Sequence, residues 1–128
     1  SAASDVYKRQ FINLAWIEMN IGKLKKALKH LDKATELDKN NPDGYKLKTS
    51  LYYMLKDYEK ALQNAAPAIK NALKEDLPDL YYLRSLIYKN LGDEEKSKGD
   101  YEKTFELKPD FDIKKANMEL KLTKKQKY

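Results

Sequence analysis

From Phe11 onward, apolar side chains return every three or four residues, and nowhere do they alternate with polar ones at a period of two. The first rhythm places apolar groups along one face of a helix, whereas a half-buried strand needs the second. The pattern also repeats itself. Phe11 to Leu37, Tyr45 to Asn71 and Tyr81 to Leu107 superpose at offsets of 34 and then 36 residues. Each stretch opens on an aromatic ring (Phe11, Tyr45, Tyr81), followed four residues later by a small or short side chain (Ala15, Thr49, Ser85). Ile17, Leu51 and Ile87 come next, then Ile21, Leu55 and Leu91. A turn follows at Gly22-Lys23, Lys56-Asp57 and Gly92-Asp93. A second helical stripe carries small residues at Ala27, Ala61 and Ser97, and again at Ala34, Ala68 and Thr104. Each unit therefore reads as two amphipathic helices joined by a tight turn. The small residues let neighbouring helices approach, and glycine suits a left-handed helix end.

Three features depart from a regular repeat. Pro67 falls inside the second helix of the second unit. An interior proline loses a backbone hydrogen bond and crowds the preceding turn, at about 3 kcal/mol, so a kink or break is expected near residues 65–67. That unit is also two residues longer, which displaces the helix opened by Asp76-Leu77-Pro78-Asp79. Beyond residue 110, Ile113, Ala116 and Leu120 fall at helical spacing, flanked by Met118 and Leu122, with lysines at 114, 115, 121, 124, 125 and 127 able to point outward. A stack of repeats leaves an apolar end face, so this segment is expected to be a polar-backed cap, with its tail from Thr123 frayed.

The units resemble the tetratricopeptide repeat, a 34-residue helix–turn–helix with the pattern W-x2-L-G-x2-Y…A-x3-F…P. The first keeps Leu14, Ala15, Gly22, Ala27, Leu31 and Ala34, with Phe11 for Trp and Glu18 for Tyr. The second keeps Tyr45, Tyr52, Asp57, Tyr58, Ala61 and Ala68 but has Lys48 and Thr49 where Leu-Gly is usual. The third is the clearest: Tyr81, Arg84 and Ser85 match a common bacterial variant, and Asp100, Tyr101, Leu107 and Pro109 complete it. The resemblance implies an all-α, right-handed superhelical solenoid of about three helix-turn-helix repeats plus a C-terminal capping helix. The repeats span residues 11–41, 42–77 and 78–109, and the cap with its basic tail spans 110–128. It also implies a protein-interaction scaffold in which the first helix of each pair lines a concave, peptide-binding groove. Mapped onto this chain, the groove candidates are Ile12, Trp16, Met19 and Asn20; Lys46, Ser50, Tyr53 and Met54; and Tyr82, Leu86, Lys89 and Asn90. Aromatic and methionine side chains there suit apolar anchors of a peptide. The same side chains could instead pack between adjacent helices. Some family members clamp the acidic C-termini of heat-shock chaperones with Lys, Asn and Arg. The matching positions here hold Ile12, Trp16, Leu47, Asp79 and Leu83, which disfavours that ligand.

Composition narrows the chemistry further. The chain of 128 residues has no cysteine and one histidine, which excludes disulfides, thiolate sites and histidine-cluster metal sites. His30 sits among Lys26, Lys29 and Lys33 and reads as a surface residue, while Asp32 and Glu36 can pair with Lys29 and Lys33. No phosphate loop, zinc motif or calcium loop is present, so neither catalysis nor a cofactor is expected. The net charge of +6 is carried almost wholly by lysine, since Arg9 and Arg84 are the only arginines among 26 basic residues. Nucleic-acid readers lean on arginine, so a basic nucleic-acid-binding repeat is the weakest reading and solvated helix faces the simplest. No apolar run reaches the roughly 20 residues of a membrane span. The opening SAASDVYKRQ matches the in-frame translation of a transposase-based sequencing adapter. Residues 1–10 are thus expected to be foreign, and the rest a fragment of a reading frame from shotgun DNA. That start leaves cytoplasmic and periplasmic locations equally open. It also leaves open a docking or regulatory region of a larger enzyme or envelope protein.

Overall fold

The computed structural model describes residues 2–126, with side-chain environments through residue 120. Among them run seven α-helices and no strand: α1 (Ala2–Asn20), α2 (Leu24–Leu37), α3 (Pro42–Met54), α4 (Tyr58–Asn71), α5 (Leu77–Asn90), α6 (Glu94–Leu107) and α7 (Ile113–Gln126). Consecutive helices pair as hairpins α1/α2, α3/α4 and α5/α6, and each hairpin stacks on the next through α2 against α3 and α4 against α5. The result is a right-handed superhelical solenoid with α1, α3 and α5 on its inner side.

The three hairpin turns close in the same way. At the first, Gly22 N–H donates to the Met19 carbonyl and Lys23 N–H to the Glu18 carbonyl at 2.8 Å. Lys56 and Asp57 repeat these bonds onto Tyr53 and Tyr52, and Gly92 and Asp93 onto Lys89 and Tyr88. This closure needs a left-handed residue after the helix, with φ of 82° at Gly22 and Gly92 and 61° at Lys56. Asp57 and Asp93 then cap the following helices by accepting from Lys60 N–H and Lys96 N–H. Asn41 does the same for α3, accepting from Asp43 and Gly44, with Pro42 in the first turn where its missing N–H costs nothing. Gly44 is where α3 crosses closest to α2: a Cβ there would lie 2.9 Å from Thr35 Cγ2.

The core follows the small residues. Ala15, Ala27, Leu31 and Leu51 form one fully buried cluster where the first two hairpins meet, and Ala61, Leu83 and Ile87 form another between the second and third. Thr49, in place of the usual glycine, turns its hydroxyl back to the Tyr45 carbonyl at 2.8 Å, so it can be buried without an orphaned group. In the third unit Arg84 forks onto Asp100 with two bonds of 2.6 and 2.8 Å, tying α5 to α6. That pairing holds the Arg84 guanidinium above its ordinary pKa, with its charged form favoured chiefly by the carboxylate bond. The neighbouring rings of Tyr81 and Tyr88 lie 5.4 and 5.7 Å from the guanidinium.

Several expectations are modified. α4 runs without a break through Pro67, and the carbonyl that the proline cannot pair belongs to the exposed Gln63. The two extra residues are taken up after α4, in an extended stretch and a 3₁₀ turn (Lys74–Asp76) that Lys46 of α3 ties down at Asp76, 3.0 Å away. His30 is half-buried rather than on the surface: it stacks on Phe11 and bonds to Glu18. Asp32 pairs with Lys48 of the next hairpin at 2.8 Å, not with its own helix. Residues 2–10 continue α1, and Lys8 there reaches Asp38 at 3.0 Å.

The largest difference is the position of α7. It does not seal the outer end of the third hairpin. Tyr101 and Phe105 of α6 and Phe111 gather against Tyr82 of α5, with Phe111 buried and centroids 5.2 to 6.5 Å apart. Asp112 caps α7 by accepting from Lys115 N–H, and the helix then returns across the inner side to touch α1 and α3. The side chains of Lys121, Leu122, Lys124, Lys125 and Lys127 and the frayed end expected from Thr123 lie outside the described residues.

Candidate functional site

The inner helices and α7 enclose a cleft of about 550 Å³. Seven of the twelve groove candidates line it: Trp16, Met19 and Asn20 from α1, Lys46, Ser50 and Met54 from α3, and Tyr82 from α5. They converge because each helix turns the same face inward, and residues three or four apart share that face. The other five are placed elsewhere. Ile12 is half-buried one turn further back on α1. Tyr53 packs edge-on against Tyr58 beside the cluster of Ala61, Leu83 and Ile87. Leu86 and Lys89 border a separate hollow between α5 and the start of α6, and the exposed Asn90 donates to the Leu86 carbonyl.

The seven do not present equal surfaces. Trp16 is 57 % exposed and stands over the mouth of the cleft, whereas Met54 and Tyr82 are only 2 % and 4 % exposed and form its floor. Tyr82 donates from its hydroxyl to Asn117 Oδ1 of α7 at 2.6 Å. Burial pushes its phenol above the ordinary value, so it remains a neutral donor across the neutral range. Burial acts in the same direction on Tyr53, where Tyr58 adds to it and Asn90 partly offsets it. Leu47 and Leu83, named only as clamp-matched positions, complete the walls together with residues that sequence reasoning did not assign to the groove, Leu80 and Lys115, Ala116, Glu119 and Leu120 of α7. The spacing of Ala116 and Leu120 signalled an apolar stripe, but not which surface would receive it.

Charge is distributed on both sides of the cleft. Lys46, Lys108 and Lys115 share it with Asp79, Asp112 and Glu119, so it is neither an acidic nor a basic trough. Among the described residues, eight lysines lie within 4.0 Å of a carboxylate, so part of the positive charge is paired locally. Among the described residues, no group of three or more His, Cys, Asp or Glu could hold a metal, and no helix is long and apolar enough to cross a membrane.

Solved structures similar to this chain include tetratricopeptide-repeat domains. A structure of MamA matches with a TM-score of 0.76 and 26 % identity over 94 % of this chain and 68 % of its own. The first TPR domain of Spaghetti, bound to the HSP90 peptide SRMEEVD, matches with a TM-score of 0.74 and 24 % identity over 98 % and 93 %. The Arabidopsis OM64 TPR domain matches with a TM-score of 0.72 and 22 % identity over 93 % and 94 %. No curated protein sequence matches the chain. The family model for the tetratricopeptide repeat matches residues 11–41 and 78–111, the first and third hairpins. With the second hairpin closing its turn by the same bonds, the chain belongs to the tetratricopeptide-repeat family.

Proposed function

We propose that this protein is an interaction module that holds a segment of another protein against the inner faces of α1, α3 and α5, without covalent chemistry. The repeats are those of a protein-interaction scaffold. The observation that supports binding at this face is the convergence of Trp16, Met19, Asn20, Lys46 and Ser50 on one cleft, with an exposed indole above a buried apolar floor. An aromatic anchor beside desolvated pockets is where binding energy concentrates in protein interfaces. Mixed charge favours a partner with apolar anchors and both signs of charge over an acidic tail. The peptide bound by the Spaghetti domain therefore does not transfer: Ile12, Trp16, Leu47, Asp79 and Leu83 supply no cation where the chaperone clamp would need one.

The test uses the full chain as bait for a displayed random-peptide library. Selected peptides are expected to weaken about ten-fold or more when Trp16 is changed to Ala or Ser50 to Arg, with the melting temperature unchanged. Peptides that bind both variants as tightly as the parent would place the interaction elsewhere on the surface.

A further inference from the structure

α7 forms one wall of the cleft, through Lys115, Ala116, Glu119 and Leu120. α7 itself lies along the surface that a partner helix would use. It touches α1 and α3, hydrogen-bonds Tyr82 of α5 through Asn117, and sets Leu120 against the cluster of Ala61, Leu83 and Ile87. It thus touches all three inner helices, and the face it turns to the cleft carries one small residue, one amide and one leucine, Ala116, Asn117 and Leu120, at the spacing by which a helix reads a groove.

The part of α7 among the described side chains, residues 113–120, is also lightly held. Each of α1 to α6 contributes fully buried residues, but none of residues 113–120 is buried, and Met118 points into solvent at 59 % exposure. Elements with few buried contacts open at low free energy while the rest of the fold stays closed. The helix carries five lysines and one glutamate, so once released it is readily solvated.

We propose that α7 is an intramolecular ligand of the groove, and that the partner is an amphipathic helix with the same small–amide–leucine face, which binds by displacing it. This rests on the groove reading above and names the class of partner and its regulation. Because the competent, open form is a minor fraction, α7 lowers apparent affinity in proportion to how often it is closed.

The experiment compares the full chain with Leu120→Asp and Asn117→Ala, using a synthetic peptide of residues 112–126 as probe. Trp16, the single tryptophan, reports binding by its emission, because the peptide contains none. Amide exchange in Leu120→Asp is expected to lose protection in α7 while α1 to α6 keep theirs. That variant is expected to bind the peptide about ten-fold more tightly than the parent, with Asn117→Ala in between. Asn117→Ala removes only the bond to Tyr82, so it keeps the comparison valid if the aspartate disturbs the fold. Equal affinity for all three chains, or no binding to either variant, would overturn the inference. Library peptides sensitive to Ser50→Arg would still stand in that case, so the two readings fail separately.

Discussion

α1 and α5 occupy the same place in their hairpins and carry the same apolar pattern, yet they are buried differently. Ile87 of α5 and its counterpart Leu51 of α3 are 0 % exposed, whereas Ile17 of α1 is 50 % exposed. Ile21 is likewise exposed, where Leu55 and Leu91 are half-buried. The difference lies in the preceding helix. α2 presents Ala27 and Leu31 to Leu51, and α4 presents Ala61 to Ile87. Among the described residues no helix stacks on that side of α1. A repeat's apolar stripe thus acquires its energetic value from a neighbour, as expected where each unit buries its face only against the next.

The sharpest way to break the comparison is to truncate the equivalent residues. Ile87→Ala is expected to cost about 2–5 kcal/mol in urea unfolding, through lost transfer energy and a cavity under α4. Ile17→Ala is expected to stay within about 0.5 kcal/mol, as for a surface site. Equal losses would mean that the exposed face of α1 is covered in solution. Next in size, Ala61→Leu should wedge α4 from α5 and lower stability by about 1–3 kcal/mol. Chemical shift changes in that variant should centre on Leu83 and Ile87.

Asp100→Ala probes the tie that α5 has and α1, with Leu14 at that position, does not. Its expected cost is about 1–2 kcal/mol, tempered because Arg84 keeps 24 % of its side chain exposed. Restoring only the charge with Asp100→Glu should recover part of the melting temperature, since the fork geometry is lost. A smaller effect, of the opposite sign, is expected at the turns. Lys56 holds a left-handed conformation at φ 61° that glycine holds in the other two units. Lys56→Gly should therefore raise stability by about 0.5–1 kcal/mol, the steric relief outweighing glycine's greater chain entropy. A fall in melting temperature would show that the Lys56 side chain contributes more than its backbone costs.

The hairpins were legible because their causes are local. Apolar spacing and the turns at Gly22-Lys23, Lys56-Asp57 and Gly92-Asp93 each act within a few residues of chain. The convergence of Trp16, Met19, Lys46, Ser50 and Met54 followed from the same period, since equivalent helix faces point the same way in a stack. The division within that set was not legible. Trp16 and Tyr82 occupy inner-face positions of comparable sequence character, but Tyr82 is buried by Asn117 of α7 and the rings of Phe111 and Tyr101, while Trp16 stays exposed. His30 read as a surface residue because its sequence neighbours are lysines, while its partners Phe11 and Glu18 lie a helix away.

α7 marks the boundary between the two kinds of information. Its helicity and its stripe of Ile113, Ala116 and Leu120 are intrinsic to the segment, because backbone periodicity and side-chain polarity are carried by the residues themselves. Its destination is not intrinsic, since an apolar stripe is satisfied by any complementary surface within reach of its tether. The end of the third hairpin, next to it along the chain, was one such surface. The inner face of α1, α3 and α5 was the other, and folding in three dimensions placed it opposite Asn117 and Leu120, residues far from it along the chain.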